Sequence, residues 1–500
     1  MRALLLALSL GVSAAASAQT YVDPVNGIDK VGGGSSTAPF KTLTFAVTQV
    51  PAAGPATFYL RPGAYSPSSG EVWPISLPDA CTVESDPALA VQGARLAQFQ
   101  TTPINQTLFE IRPRGAGNVT LRNLRITGNM VQGVHVAPRA TATVCVLLVE
   151  DCLIAQQNCV EVDHNVTLQA PMLLTVRRCR LTGVVSCINV HAGATSRASV
   201  NLHVERSTLV DGIVGNVVLD AAAQSTIRAT IRASYLRSPV RFGVLAASAS
   251  GGVVSTRIEH CLLYDIGNRV IGGGITNGAI FDQLATGGVA PTHRIVNSVF
   301  LKNKTDAALG TGANYSWGNN LVQQANLGTL GGNKVGVQTY ADRGGNDFHL
   351  APTSLGIDGG LAADTTLGDD YDAEPRLSVH AGKAPDLGPD ELFLGATFSN
   401  DAARPGDTYT LRTSWGPSVP FALFLGTARV PQSFGPGGIH LAGSIFGLGL
   451  AGVCGATGIG EVNLPVPNDP KLVGLEFYWQ AVGTTPPFLG ANAKRTLVVQ

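Results

Sequence analysis

The sequence predicts an all-β protein: a right-handed parallel β-helix followed by a small β-sandwich. Two observations lead to this fold class, namely a repeat of 27 or 28 residues and a three-strand apolar pattern within each repeat. The composition agrees with it. Only 14% of the residues are charged and 59 are glycine, which favours strands and tight turns over solvated helices.

Each repeat has two alternating apolar positions, a two-residue break, and two further apolar positions. The last apolar position of successive copies falls at residues 126, 154, 181, 209, 236 and 263. The apolar side changes across the break, as expected where two strands meet at a bend and face one interior. A third apolar strand follows, as at Val134/Val136 and Ile188/Val190. Three strands per turn, stacked about 4.8 Å apart, form the coil of a parallel β-helix.

The first residue of the break alternates in charge from copy to copy. The series is Arg122, Glu150, Arg177, Glu205, Arg232 and Glu259. On stacked coils each charge lies between two opposite charges, so we expect a structural ladder on an exposed corner, with each pair worth about 0–1 kcal/mol.

Cysteine and serine occupy the first interior position after the break, which predicts a stack of small side chains. The series is Cys152, Cys179, Ser207, Ser234 and Cys261. Cys159 and Cys187 precede matching strands on adjacent coils. Either a disulfide or two stacked, unlinked thiols fits that placement.

The N-terminus predicts export. Arg2 precedes a short apolar run, Leu4 to Val12, and Ala16-Ser17-Ala18 matches a small-x-small cleavage site. The run is too short to span a bilayer, and we expect no transmembrane segment elsewhere. From about residue 395 the repeat stops, and Pro and Gly punctuate short apolar runs, as in a β-sandwich. The predicted regions are a signal peptide (1–18), an N-terminal cap with the first coils (19–110), the β-helix with its closing segment (111–392) and a C-terminal β-sandwich-like module (395–500).

Motifs at both ends of the repeats resemble one superfamily. Those at the N-terminal end are Tyr21-Val22-Asp23, Gly27-x-Asp29, Pro39-Phe40-Lys41-Thr42-Leu43 and Arg61-Pro62-Gly63, and those at the other end are Asp347-Phe348-His349-Leu350 and Asp386-Leu387-Gly388. They resemble the cap and closing segment of the pectin-lyase-like, right-handed parallel β-helix superfamily, especially its bacterial members of uncharacterised function. That superfamily contains lyases, hydrolases, epimerases and non-catalytic adhesins, so the resemblance implies the fold and leaves the chemistry open.

The resemblance implies that the third strand of each coil lines a substrate groove. Its outward positions are expected to form one column of His135, Glu161, Asn189, Val218 and Val244, and a second of Ala137, Asp163, His191, Asp220 and Ala246. The candidate catalytic residues are Glu161, Asp163, His191 and Asp220. The candidate substrate-binding residues are His135, His164 and Asn189.

This cluster has features of a glycoside hydrolase. Asp163 and Asp220 are two coils apart, nearly 10 Å at the backbone, which approaches the roughly 6.5–9.5 Å between the carboxyls of an inverting enzyme. Clustering is expected to raise the pKa of one carboxyl, as a general acid requires. The two columns contain no Lys or Arg, which disfavours pectate-type elimination and favours hydrolysis of a neutral or weakly charged polysaccharide.

Two alternatives stay open. A non-enzymatic surface or adhesin-like protein would use the same face to bind a glycan without turnover, and a soluble strand also needs polar outward residues simply for solvation. The expected partner is a polysaccharide or cell-surface glycan. The net charge of zero, from 34 basic and 34 acidic residues, gives no electrostatic basis for nucleic-acid binding. We expect a monomer.

No cofactor is assigned from the sequence, and no metal at the third strand, although carboxylates and imidazoles are ordinary metal ligands. Ca²⁺ is an option at an acidic cluster in the closing segment, made of Asp369, Asp370, Asp372 and Glu374. Turn-forming roles explain these aspartates equally well.

Overall fold

The computed structural model describes most of the chain from Ala18 onward. The described residues are 18–51, 55–90, 97–101, 106–139, 141–164, 171–193, 197–238, 240–268, 278–308, 314–324, 327, 331–342, 347–365, 370–371, 384–390, 392, 397–398, 403, 405–415, 417–429, 441–469, 472, 475–484 and 494–497. The predicted signal peptide lies outside them except for Ala18. So does most of the acidic cluster considered for Ca²⁺, namely Asp369, Asp372 and Glu374.

Three columns of parallel strands confirm the predicted parallel β-helix with three strands per coil. The first column consists of Ala18–Val22, Ala56–Leu60, Ala80–Ser85, Ala116–Arg122, Val144–Glu150, Met172–Arg177, Ser199–Glu205, Thr226–Arg232, Val253–Glu259, Thr292–Val296 and Asn314–Gly318. The second consists of Gly63–Tyr65, Ala97–Thr101, Leu124–Gly128, Leu153–His164, Arg180–Ala192, Thr208–Val210, Tyr235–Arg237, Leu262–Tyr264, Val299–Leu301, Leu321–Val322 and Lys334–Val335.

The third column consists of Ile75–Leu77, Thr107–Ile111, Gln132–Val136, the second halves of Leu153–His164 and Arg180–Ala192, then Gly215–Ala221, Phe242–Ser248, Gly278–Leu284 and Ala307–Ala308. Two long strands therefore run through the second and third columns without a break. The register between them shifts at Gln156/Asn158, and this irregularity accommodates one extra residue in the later coil.

Short helices accompany the first coils. These are the helices Leu43–Thr48 and Pro87–Ala90 and the 3₁₀ turn Pro67–Ser69. A second 3₁₀ turn, Ala362–Asp364, lies in the closing segment. At the first helix Thr42 Oγ1 accepts the Phe45 N–H at 3.1 Å, and the Glu71 carboxylate accepts the Leu43 and Thr44 N–H groups at 2.7 and 2.9 Å. The N–H groups that lack intrahelical partners are thus satisfied.

A left-handed residue makes the bend between the first and second columns. The second residue of the break has a positive φ of 43–54° on six successive coils, at Asn123, Asp151, Arg178, Arg206, Ala233 and His260. A non-glycine residue adopts this conformation at a cost of about 1–2 kcal/mol. The change of apolar side in the sequence has this structural origin.

The charge ladder on the corner forms in the expected register. Glu150 pairs with Arg122 on the preceding coil and Arg177 on the following one, and also with Arg178. Its Oε2 accepts Arg122 Nε at 2.8 Å, and its Oε1 accepts Arg178 Nη2 at 2.7 Å. The expectation of an exposed corner is wrong for the carboxylates, because the side chains of Glu150 and Glu259 are only 4% and 0% exposed.

The interior position after the bend holds the predicted stack of small side chains. Ser207 Oγ accepts the Cys179 N–H at 3.1 Å, and Ser234 Oγ accepts the Ser207 N–H at 3.2 Å. Cys159 and Cys187 are unlinked, and their thiols donate to backbone carbonyls, Ile154 O at 3.3 Å and Val210 O at 3.2 Å. Of the two alternatives for this pair, the structure contains the unlinked one.

A polar group interrupts the apolar interior in the last coils. His293 Nδ1 lies 2.6 Å from Thr256 Oγ1, and His293 Nε2 lies 2.7 Å from Asp282 Oδ1. Tyr315 donates its hydroxyl to the other oxygen of Asp282 at 2.5 Å. Because each member is hydrogen-bonded, this buried network is compatible with a stable interior.

Antiparallel strands follow the helix. Tyr340–Asp342 and Asp347–Leu350 form a hairpin, and the remaining strands form two small sheets: Thr397–Phe398, Thr408–Ser414 and Ile459–Pro465 in one, and Leu441–Val453, Pro420–Arg429, Glu476–Gly483 and Lys494–Leu497 in the other. Trp415, Leu411, Phe421 and Trp479 lie in one buried apolar cluster. These sheets form the expected small β module.

The ladder gives a first prediction. Glu150→Gln leaves three guanidinium groups around a neutral amide, so we expect the free energy of unfolding to fall by about 1–3 kcal/mol, between the values for exposed and buried ion pairs. Burial raises the pKa of Glu150, but the hydrogen bonds from Arg177 and Arg122 and the charges of Arg177 and Arg178 outweigh it and hold the pKa below its usual value. The stabilisation is therefore present above the unfolded-state pKa of about 4.3 and is lost as pH falls through the lower folded-state pKa.

Urea unfolding at neutral and acid pH measures this effect. Asp151→Asn, which alters the more exposed pair with Arg178 on the same corner, is the matched control and should cost about 0–1 kcal/mol. A Glu150→Gln defect that is equal at both pH values would show that the carboxylate charge does not stabilise the ladder.

The cysteines give a second prediction. All eight are unlinked and buried, and burial raises the pKa of Cys81 and of Cys187 to about 12. Because the thiolate is the reactive form, a thiol reagent should titrate no cysteine in the folded protein and all eight in denaturant. Fewer than eight thiols in denaturant without reductant would reveal a disulfide and contradict the structure.

Candidate functional site

The outward face of the third column gathers the candidate residues by register. His135 pairs with Glu161, Glu161 with Asn189, and Asn189 with Val218 on successive coils. In the neighbouring outward column, Asp163 pairs with His191, and His191 with Asp220. We call the surface formed by His135, Glu161, Asp163, Asn189, His191 and Asp220 the polar face.

Two imidazole–carboxylate pairs organise the polar face. His135 Nε2 lies 3.1 Å from Asp163 Oδ2, and His191 Nδ1 lies 3.3 Å from Asp220 Oδ2. A carboxylate only accepts, so these ring nitrogens carry the proton. The second pair leaves Nε2 of His191 for another partner. The side chains of Asp163 and His191 are 34% and 35% exposed, so solvent reaches both.

Glu161 is oriented by two amides. Its Oε2 accepts Gln132 Nε2 at 2.8 Å and Asn158 Nδ2 at 3.0 Å. One ligand-type atom each of Glu161, Asp163 and His191 lies within 4.8 Å of the other two. A divalent cation could bridge that spacing, although the hydrogen bonds already hold Asp163 and His191 in place without one.

The electrostatics differ from the expectation of a carboxyl with a raised pKa. The hydrogen bond from His135 lowers the pKa of Asp163 below its usual value, and partial burial opposes it only in part. The hydrogen bond to Asp220 raises the pKa of His191 against the effect of burial, with further support from the charges of Asp163 and Glu161. Clustered carboxyls alone predict a raised pKa, but the imidazole of His135 lowers the pKa of Asp163.

Three placements correct the expected columns. His164 is 0% exposed and pairs with the inward Ala192, because the alternation of Val160 and Val162 continues through it. It therefore lies off the polar face and is not positioned to bind a substrate there. Val244 and Ala246 are also inward, since they are the register partners of Val217 and Leu219.

The positions next to Val218 and Asp220 are instead Leu245 and Ala247. Leu245 clusters with Val218, Phe242 and the partly buried Phe281, whose ring stacks on Phe242 at 4.5 Å. The outward face thus changes from polar to apolar and aromatic beyond Asp220, and this strip supplies aromatic rings that the sequence columns lacked.

The structure also extends the polar face towards the N-terminus. Glu110 is in register with His135, and the two approach to 4.0 Å between Oε1 and Nδ1. Arg112, two residues later, donates to Glu110 at 2.6 Å. Both residues precede the clear repeats and were therefore not among the predicted site residues, although Phe109-x-Ile111 already shows the alternation of Val134-x-Val136.

The stacked columns of parallel strands define a parallel β-helix protein. The sequence profile of the family described as "Protein of unknown function (DUF1565)" matches residues 25–343, well over half of the chain, and the protein belongs to that family.

A search of solved structures finds similarity to one described as "Crystal structure of pectate lyase Pel9A". The identity is 14%, the match covers 75% of this chain and 97% of that chain, and the TM-score is 0.39. No curated protein matches the chain. Among the described residues, no helix has the length and apolar character needed to cross a membrane.

Proposed function

We propose that the protein is exported and hydrolyses a neutral or weakly charged polysaccharide at the polar face, with Asp163 as nucleophile and His191 as general acid and then general base. The observation that supports this most directly is the register of Asp163, His191 and Asp220 on three successive coils, with His191 hydrogen-bonded to Asp220. The predicted signal sequence supports export.

The two central groups differ in the way that acid–base catalysis requires. Asp163 is held as a carboxylate by His135, and His191 is favoured as an imidazolium by Asp220. Neighbouring groups whose pKa values are displaced in opposite directions are typical of a proton donor and an ionised carboxylate that act in one reaction. The proton donor in this proposal is therefore an imidazolium, in place of the carboxylic acid expected from the sequence.

The chemistry then follows from the positions. Ligand-type atoms of Asp163 and His191 lie within 4.8 Å of each other, near the roughly 5–5.5 Å of a double-displacement pair. The Asp163 carboxylate bonds to the anomeric carbon as the bond from that carbon to the glycosidic oxygen breaks, and His191 Nε2–H donates its proton to the departing oxygen. The neutral imidazole then takes a proton from the water that hydrolyses the glycosyl ester, which restores the imidazolium and the free carboxylate. Asp220 is a positioning residue, which fixes the tautomer of His191 and stabilises its charge.

The charges favour an uncharged substrate. The polar face together with Glu110 and Arg112 has four carboxylates, those of Glu110, Glu161, Asp163 and Asp220. Its one guanidinium, that of Arg112, is already paired with Glu110. A polyuronate would meet net repulsion here, whereas carboxylates and imidazoles accept and donate hydrogen bonds to neutral hydroxyls.

The first experiment measures new reducing ends on xylan, β-glucan, mannan and polygalacturonate. We expect activity on a neutral polymer, with kcat reduced by roughly 10²–10⁴-fold in Asp163→Asn and in His191→Gln. His203→Gln and Asp151→Asn, the same substitutions on the first column and its corner, should leave kcat unchanged. Parallel reactions with EDTA and with added Ca²⁺ or Zn²⁺ report whether an ion contributes.

Three results would contradict the proposal. Binding of a glycan without new reducing ends would favour the non-enzymatic alternative. Unsaturated products would show elimination in place of hydrolysis. Full activity in both site variants would place the chemistry elsewhere on the molecule.

The pH dependence tests the assignment of roles. Activity needs Asp163 deprotonated and His191 protonated, so it should fall on the acid side at a pH below the ordinary carboxyl pKa of 3.8 and on the alkaline side above the ordinary imidazole pKa of 6.5. In Asp220→Asn the alkaline limb should move to lower pH, because the interaction that raises the pKa of His191 is gone. An unchanged alkaline limb in that variant would remove His191 from the acid role.

A further inference from the structure

A second concave site lies on the first coils, on a different face from the polar face. It is a cavity of about 630 Å³, within the size range typical of ligand sites. Its polar lining comes from Tyr21, Asp23, Asn26, Ser36, Arg61 and Asp86, and its apolar lining from Val25, Pro62, Ala88 and Leu89.

At this cavity, tyrosines occupy the register positions that the charges of the ladder occupy on later coils. Along the corner, Arg122 pairs in register with Glu84, and Glu84 with Tyr59, which pairs with Tyr21. The two tyrosine rings lie 5.2 Å apart and tilted by 40°. Both are half-buried, so an aromatic surface replaces the ion pairs only where the cavity opens.

The polar groups beside the rings are held rigidly. Asp23 Oδ1 accepts the Val25 and Asn26 N–H groups, each at 2.9 Å, and Asp23 Oδ2 lies 3.3 Å from Arg61 Nη1. Arg61 Nη2 donates to the Ser36 carbonyl. Among the described residues, Arg61 Nε is buried without a hydrogen-bond partner, and 28% of the Arg61 side chain is exposed.

We infer that this cavity binds a neutral sugar unit of a polysaccharide. The ring of Tyr21 offers an apolar face for the C–H side of a pyranose, and the carboxylate, amide and guanidinium groups of the lining offer donors and acceptors for its hydroxyls. An anionic ligand fits less well, because Arg61 is already neutralised by Asp23 and because Asp86 adds a second carboxylate. The site would hold the polymer at the N-terminal end while the polar face acts on it. This inference takes its substrate class from the proposed function.

Calorimetry on the Asp163→Asn variant, which suppresses turnover, measures the binding of cellohexaose, xylohexaose, mannohexaose and laminarihexaose, with hexagalacturonate as the anionic comparison. Hydrogen exchange then locates the bound oligosaccharide. We expect saturable binding of at least one neutral hexasaccharide, with protection of backbone amides in residues 19–40 and 56–66.

Variants at the cavity sharpen the test. Tyr21→Ala should weaken binding about tenfold and abolish that protection, whereas Tyr21→Phe, which keeps the ring, should stay within about twofold of the parent. Asn26→Ala, at an exposed position, should weaken binding without affecting the fold. Tyr264→Ala and Asn201→Ala are the matched controls on other surfaces and should bind like the parent.

Two outcomes would overturn the inference: no saturable binding of any neutral hexasaccharide, or protection confined to the third column with Tyr21→Ala binding like the parent. The proposed function is judged separately, by reducing ends released by the wild-type protein. In the wild-type background Tyr21→Ala should lose activity on long polymers, whereas the control Tyr264→Ala should keep it.

Discussion

Parallel pairing of each coil with the next, in one register, is the constraint on which the rest of this structure depends. Residues one coil apart lie about 4.8 Å from each other at the backbone, so a pattern in the sequence becomes a line of neighbouring side chains. A slip of one residue would turn every inward side chain outward. The fully buried Val134, Val160, Ile188, Val217 and Val244 form one such interior line.

Three devices hold that register. A left-handed residue, such as Asn123 or Asp151, turns the chain at a constant place in each coil. The ion pairs between Glu150 and its neighbouring arginines stabilise only the register in which opposite charges are adjacent. Inside the corner, Ser207 and Ser234 hydroxyls accept backbone N–H groups from the preceding coil, so small polar residues also fix the alignment. The strain of the bends is therefore offset at the same corner where it arises.

The sequence was sufficient for the fold because its signals are periodic. The coil length, the three strands, the alternating ladder and the column of Asp163, His191 and Asp220 all follow from counting along the chain. Errors arose where counting does not determine a side chain. Val244 and Ala246 lie inward and not outward as predicted, because Gly243 and Leu245 also fit an apolar alternation. His164, predicted to point outward, continues the inward series.

Electrostatic properties were harder to foresee than positions. The prediction of a raised carboxyl pKa assumed that the neighbours of Asp163 are other carboxyls, whereas in the structure its partner is His135 at 3.1 Å. The burial of Glu150 likewise depends on side-chain conformation, which a charge pattern does not specify. The fates of Cys159 and Cys187 needed coordinates, since adjacent coils bring thiols together without orienting them for a bond.

The most direct measurement is an NMR titration of the His191 ring nitrogens in the free protein. The account requires an imidazolium stabilised by Asp220, so the pKa of His191 should lie above the ordinary value of 6.5 and should move down towards it in Asp220→Asn. A His191 pKa at or below 6.5 in the wild-type protein, or one unchanged by Asp220→Asn, would contradict the acid–base pair on the polar face.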